Sequence, residues 1–139
     1  MHTERVRGVI SASKPVEWFA KESQTFYAPD GRANVIVSSE PLDLDIDSKS
    51  YADSQGDLLE QEFPGYAEHS FEPRAVFGGR SGFLRRFTWL PEDSEPVSQI
   101  QVYYAELGRG YSATATTTTS DYPLLEVELM ALLESLRIS

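Results

Sequence analysis

Residues 66–119 constrain the fold more than any other part of the chain. They read as four strands in succession, separated by turn signals. Stretches 66–77 and 80–90 flank Gly78-Gly79, and a glycine pair between two extended runs is a strong tight-hairpin signal. The acidic segment 91–96, Pro-Glu-Asp-Ser-Glu-Pro, reads as a long hairpin tip whose charges stay in water. Stretch 97–107 alternates, with Ile100, Val102 and Tyr104 on one side and Gln99, Gln101 and Tyr103 on the other. Gly108-Arg109-Gly110 turns the chain. Stretch 111–119 alternates again, setting Tyr111, Ala113, Ala115 and Thr117 against Ser112, Thr114, Thr116 and Thr118.

Helices bracket this block. Residues 50–63 carry Tyr51, Leu58, Leu59 and Phe63 on one helical face, and Ser50 with Asp53 resembles a capping-box start. Gly56 weakens this helix by about 1 kcal/mol relative to alanine, and Pro64-Gly65 ends it. The last helix opens on Ser120 or Asp121 as cap, with Pro123 in its first turn. Leu125, Leu129, Leu132, Leu133 and Leu136 form its apolar stripe, and the small Ala113 and Ala115 leave room for it against the sheet. The N-terminal third is less regular. Residues 6–10, 25–27 and 34–38 read as strands, the last being the firmest, and Pro29-Asp30-Gly31 reads as a turn. Residues 14–19 open a short helix or form a turn carrying a buried Trp18. The order predicts an α+β fold, one antiparallel sheet flanked by helices, in a single domain over residues 1–139.

Charge and composition remove several functions. Twelve Lys and Arg against twenty-two Asp and Glu leave a formal charge of -10, which repels phosphate backbones and disfavours nucleic acid as a partner. There is no cysteine, hence no disulfide, thiol catalysis or zinc–cysteine site. No apolar run reaches the ~20 residues that span a bilayer. The first residues lack the apolar core of a signal peptide. The expectation is a cytoplasmic protein without stable membrane insertion.

Motifs for chemistry are sparse. His69 sits in a strand without a nucleophile motif near it; Gly79-Arg80-Ser81-Gly82 misses the G-x-S-x-G elbow because Phe83 stands where the last glycine belongs. Asp43-Leu44-Asp45-Ile46-Asp47 matches the start of a calcium loop, but Ser48 replaces the turn glycine and Ser54 the bidentate glutamate. It reads instead as Leu42, Leu44 and Ile46 packed with three carboxylates in water. No phosphate-binding glycine loop occurs. Arg80, Arg85 and Arg86 read as surface salt-bridge partners. The face carrying Gln99, Gln101, Tyr103, Thr114 and Thr116 is not a core by composition; it is solvated or meets a partner, and tyrosine favours the second. These five residues are the candidate partner-binding set. No catalytic, cofactor or metal residue is assigned.

The ordered set Pro15-Val16-Glu17-Trp18, Asn34-Val35-Ile36-Val37-Ser38, Tyr51-Ala52-Asp53-Ser54-Gln55, Leu58-Leu59, Phe63-Pro64-Gly65-Tyr66, Gly78-Gly79-Arg80, Trp89, Gln99-Ile100-Gln101-Val102, Ala113-Thr114-Ala115-Thr116 and residues 132–138 resembles a DcrB-related domain of the PsbP-like fold. The resemblance covers nearly the whole length. It implies an α/β/α sandwich without catalysis or cofactor. One branch of such domains comprises chaperones of type VI secretion effectors, which cradle hydrophobic segments of the effector on a curved sheet, often as homodimers; another comprises exported lipoproteins. The expected function is therefore a non-enzymatic protein-binding module, a cytoplasmic chaperone or adaptor for a secreted effector. The alternatives are an accessory domain binding a small apolar ligand near Trp18, Trp89 or Tyr104, a toxin-neutralising immunity protein acting through its acidic surface, and a hydrolase using His69.

Overall fold

The computed structural model describes residues 3–6 and 12–138. A small ladder pairs β1 (Thr3–Val6) with β2 (Ala12–Pro15) antiparallel. The rest runs β3 (Glu22–Tyr27), β4 (Ala33–Pro41), α1 (Ser48–Glu62), β5 (Ala67–Val76), β6 (Arg80–Trp89), β7 (Val97–Glu106), β8 (Arg109–Thr118) and α2 (Tyr122–Ser135). Six strands form one sheet in the order β3-β4-β8-β7-β6-β5, every pair antiparallel. The four-strand meander is as the turn signals require. What they do not reveal is that β4 joins it at β8, with β3 outside. The α+β class and the single antiparallel sheet with helices stand.

Because successive side chains on a strand point to opposite faces, the two helices cover opposite faces. Leu129 and Leu133 of α2 pack with Val35, Leu84, Ile100, Val102, Ala113 and Ala115, while Leu125, Leu132 and Leu136 are half-buried around them. The alanines on β8 do admit the helix. On the other face Tyr51 and Ala52 of α1 pack with Tyr103 and Ala105, and Leu42, Ile46, Phe71 and Phe83 surround them. Leu58 of α1 points away and is exposed, as is Leu44.

Local chemistry moves several boundaries. α1 starts at Ser48 because the Asp47 carboxylate accepts from the Ser50 amide at 2.8 Å. That bond holds Asp47 below the usual carboxylate range. Ser50 is thus the amide that is capped, not the cap. At α2, Asp121 occupies the cap position but makes no capping bond; its carboxylate accepts from Arg32 at 2.9 Å. The β5–β6 loop is Phe77-Gly78-Gly79, all with positive φ, closing on the pair Val76 and Arg80. The β7–β8 turn is the dipeptide Leu107-Gly108, both left-handed, as a two-residue hairpin of this twist requires. Gly110 belongs to β8 rather than to the turn. A Cβ there would sit 2.8 Å from the Tyr51 ring, so the glycine lets α1 approach the sheet.

The N-terminal expectations fare worst. Residues 14–19 form the end of β2 and a turn, with the Trp18 amide donating to the Pro15 carbonyl, and no helix. Trp18 is 68% exposed, not buried. Of the strand expected over 6–10, Val6 closes β1 and the remainder lies outside the described residues.

Candidate functional site

The register brings the five candidate residues to one face. Gln99 pairs with Thr116, Gln101 with Thr114, and Tyr103 with Ser112. β4 extends each row through Asn34, Ile36 and Ser38. α1 packs over β6 and β7 and so divides this face in two. Tyr103 falls under the helix and is only 1% exposed, its ring edge-on to Tyr51 at 6.2 Å between centroids. Gln99 is buried too: its Oε1 accepts from Trp89 Nε1 at 2.9 Å and its Nε2 donates to Thr116 Oγ1 at 2.7 Å. The expectation that all five look outward therefore fails for Tyr103 and Gln99. Gln101, Thr114 and Thr116 are half-buried, and beside them Ile36 is exposed in mid-strand.

The aromatics proposed for an apolar pocket are not brought together. Trp89 stacks on Phe63 at 4.2 Å on the α1 side. Tyr104 stacks on Tyr111 at 6.0 Å on the α2 side. His69 is the extra residue of a β-bulge, exposed, with Nε2 2.9 Å from Thr88 Oγ1. Asp43 and Asp45 are exposed, while Asp47 is occupied in capping. Among the described residues no cluster of three or more His, Asp or Glu is arranged to hold a metal ion.

Of the three arginines taken for surface residues, Arg80 and Arg86 form half-exposed pairs with Glu106 at 3.2 Å and Glu72 at 3.3 Å. Arg85 is different, being 4% exposed. Its Nε donates to Glu68 Oε1 at 2.8 Å, and its Nη1 to the Ala52 carbonyl at 3.1 Å and to Tyr103 Oη at 2.8 Å. Tyr103 in turn donates to Gln101 Oε1. The guanidinium lies over the Phe71 ring at 4.3 Å. Burial works against its charge, but Tyr103 and Glu68 outweigh that and leave Arg85 above its ordinary value. Burial pushes Tyr51 and Tyr66 up to about 12 and Tyr103 upward as well. The sequence did carry a signal for Arg85: it stands in line with Phe83, Phe87 and Trp89 at two-residue spacing, all on the α1 side.

A cleft of about 640 Å³ opens above this network. One wall is the α1 stripe Asp53, Gly56, Asp57 and Glu60; the other holds Tyr66 and Glu68; Arg85 is the floor. A smaller apolar groove of about 140 Å³ runs between β3–β4 and α2, past Phe26, Leu125 and Leu132. Among the described residues no helix is long and apolar enough to cross a membrane.

No family model matches the chain, and no curated protein matches it. Among solved structures it is similar to protein of unknown function PA94 from Pseudomonas aeruginosa, with a TM-score of 0.82, 20% identity, and coverage of 100% of this chain and 99% of that one. It is also similar to LpqN of Mycobacterium tuberculosis, a protein involved in cell envelope biogenesis, with a TM-score of 0.53, 18% identity, and coverage of 77% of this chain and 62% of that one. At these identities the likeness speaks for the fold alone.

Proposed function

We propose that the chain is a non-enzymatic protein-binding module that docks its partner on the part of the sheet face beside α1. The observation that carries this reading is the exposure of Ile36 in mid-strand, bordered by Thr114, Thr116 and Gln101. A β-branched apolar side chain among hydroxyls and amides offers both buried area and hydrogen bonds to a partner. The resemblance to DcrB-related domains adds a finer reading, a cytoplasmic chaperone or adaptor that shields an apolar segment of a secreted effector.

The test is co-expression with the products of neighbouring genes, followed by affinity purification. Wild-type chain retains a specific partner; the variants Ile36→Asp and Thr114→Asp lose it while their far-UV circular dichroism is unchanged. Failure of every neighbouring product to co-purify, or unchanged retention by both variants, would sink the proposal.

The groove along β3–β4 and α2 favours a second reading, a small apolar ligand. Its volume of about 140 Å³ is below the roughly 300 Å³ at which ligand pockets begin. Native mass spectrometry showing a bound apolar molecule would reverse that ranking.

A further inference from the structure

The cleft beside α1 is a different place from the open sheet face, and its chemistry is polar on every side. Its carboxylates are not equivalent. Asp53 is paired with Lys49 at 2.7 Å and Glu68 with Arg85 at 2.8 Å. Asp57 and Glu60 have no ion pair or hydrogen bond among the described residues, and they stand three apart on the helix face that lines the cleft. The floor has the opposite polarity. Arg85 is almost wholly buried and its Nε and Nη1 are committed, yet Nη2 has no partner among the described residues. Nη2 emerges where α1 has a glycine: a Cβ on Gly56 would lie 2.5 Å from it. The helix thus lacks a side chain at a position where one would crowd the guanidinium.

We infer that this cleft binds a basic amino-acid residue. Its ammonium or guanidinium sits against Asp57 and Glu60, and its carbonyl or carboxylate oxygen accepts from Arg85 Nη2. The cation answers two carboxylates without a counter-ion, and the oxygen answers a guanidinium nitrogen that opens on the cleft and has no partner among the described residues. A dianion such as phosphate would meet the same carboxylates and be repelled. The overall charge of -10 draws a basic ligand or segment toward this surface. The inference does not depend on the sheet face being a docking surface, and either can fail alone.

The probe is Nα-acetyl-arginine amide, titrated into the full chain and followed by the amide signals of Gly56, Asp57 and Glu60 and by the side-chain Nε–H of Arg85. Free arginine and uncharged Nα-acetyl-citrulline amide run in parallel. Saturating shifts of these signals are expected, with citrulline binding at least about tenfold more weakly. The double variant Asp57→Asn/Glu60→Gln, whose positions are exposed, keeps its fold and loses at least about tenfold in affinity as well. Binding of the capped compound alone identifies a residue within a chain, and binding of free arginine identifies the free amino acid; both support the site. The inference is overturned if no arginine compound gives saturating shifts by about 10 mM. It is equally overturned if citrulline binds as well, or if the double variant binds unchanged.

Discussion

The two faces of the sheet share strands β4, β6, β7 and β8 and are held by different physics. Under α2 the centre is aliphatic: Val35, Leu84, Ile100, Val102, Leu129 and Leu133 pack together, and the polar Ser98 and Thr117 are buried only at its edge, each with a hydrogen bond. Under α1 the alternate residues of the same strands bury Tyr51, Tyr103 and Arg85, and hydrogen bonds link Glu68, Arg85, Tyr103 and Gln101. The first face gains from removing apolar area from water. The second holds most of the polar groups it buries through hydrogen bonds, Asn34 Oδ1 being the buried side-chain atom left without a partner among the described residues, so it is more specific in geometry and gains less per residue. A polar face therefore need not be a solvated one; it is buried wherever partners stand at hydrogen-bonding distance.

The largest effect expected is on the aliphatic side. Ile100→Ala removes a fully buried side chain and costs about 3–4 kcal/mol in urea unfolding. Arg85→Ala costs less, about 2–3 kcal/mol, since Glu68 is left near solvent rather than stranded. Arg85→Met costs only about 1 kcal/mol, because an apolar group of similar length packs on Phe71 and buries no charge. If Arg85→Met is as damaging as Ile100→Ala, the contrast between the faces is broken.

Gly56→Ala sharpens the same contrast. Helix propensity alone would stabilise by about 1 kcal/mol. The new Cβ lies 2.5 Å from Arg85 Nη2, so the net effect is a loss of about 1 kcal/mol. In the Arg85→Met background the guanidinium is gone and the sign reverses. A gain in both backgrounds would show that Arg85 does not press on the helix.

The smallest effect is set by pH. Burial raises Tyr51 and Tyr66 to about 12 and raises Tyr103, all three on the α1 side. A folded value above the unfolded one, about 10 for tyrosine, gives stability that is complete below pH 10 and is lost as pH climbs toward about 12. Tyrosinate absorbance is expected to rise together with loss of helical circular dichroism in that window. Ionisation of Tyr51, Tyr66 and Tyr103 near pH 10 with the fold intact, read from their own ring signals and not from total absorbance to which the exposed Tyr27 contributes, would mean that these hydroxyls are not sequestered.

Much of this architecture can be read from residues. The alternation of Ile100, Val102 and Tyr104 against Gln99, Gln101 and Tyr103, and of Ala113 and Ala115 against Thr114 and Thr116, places each side chain on its face. The leucine stripe of α2 and the glycines at 78, 79 and 108 mark the covering helix and the hairpins. These are local properties, set by the two-residue period of a strand and the few residues that accept positive φ. The candidate site was half legible: its register follows from the turn, but which of its residues stay open does not. Tyr103 looks like a contact residue until α1 is laid over it. Gly56 looks like a flaw in a helix until Arg85 is found beneath it.

What the sequence determined by itself was the order of elements from β3 onward, the antiparallel meander and the membership of each face, because those depend on neighbours along the chain. Only the tertiary structure decided that β4 closes on β8, that α1 covers Tyr103 and spares Ile36, and that Arg85 floors a cleft. The physical reason is that burial of a polar side chain depends on partners far away in sequence, here Glu68 and Ala52 around Arg85, and no local pattern encodes where those partners will stand.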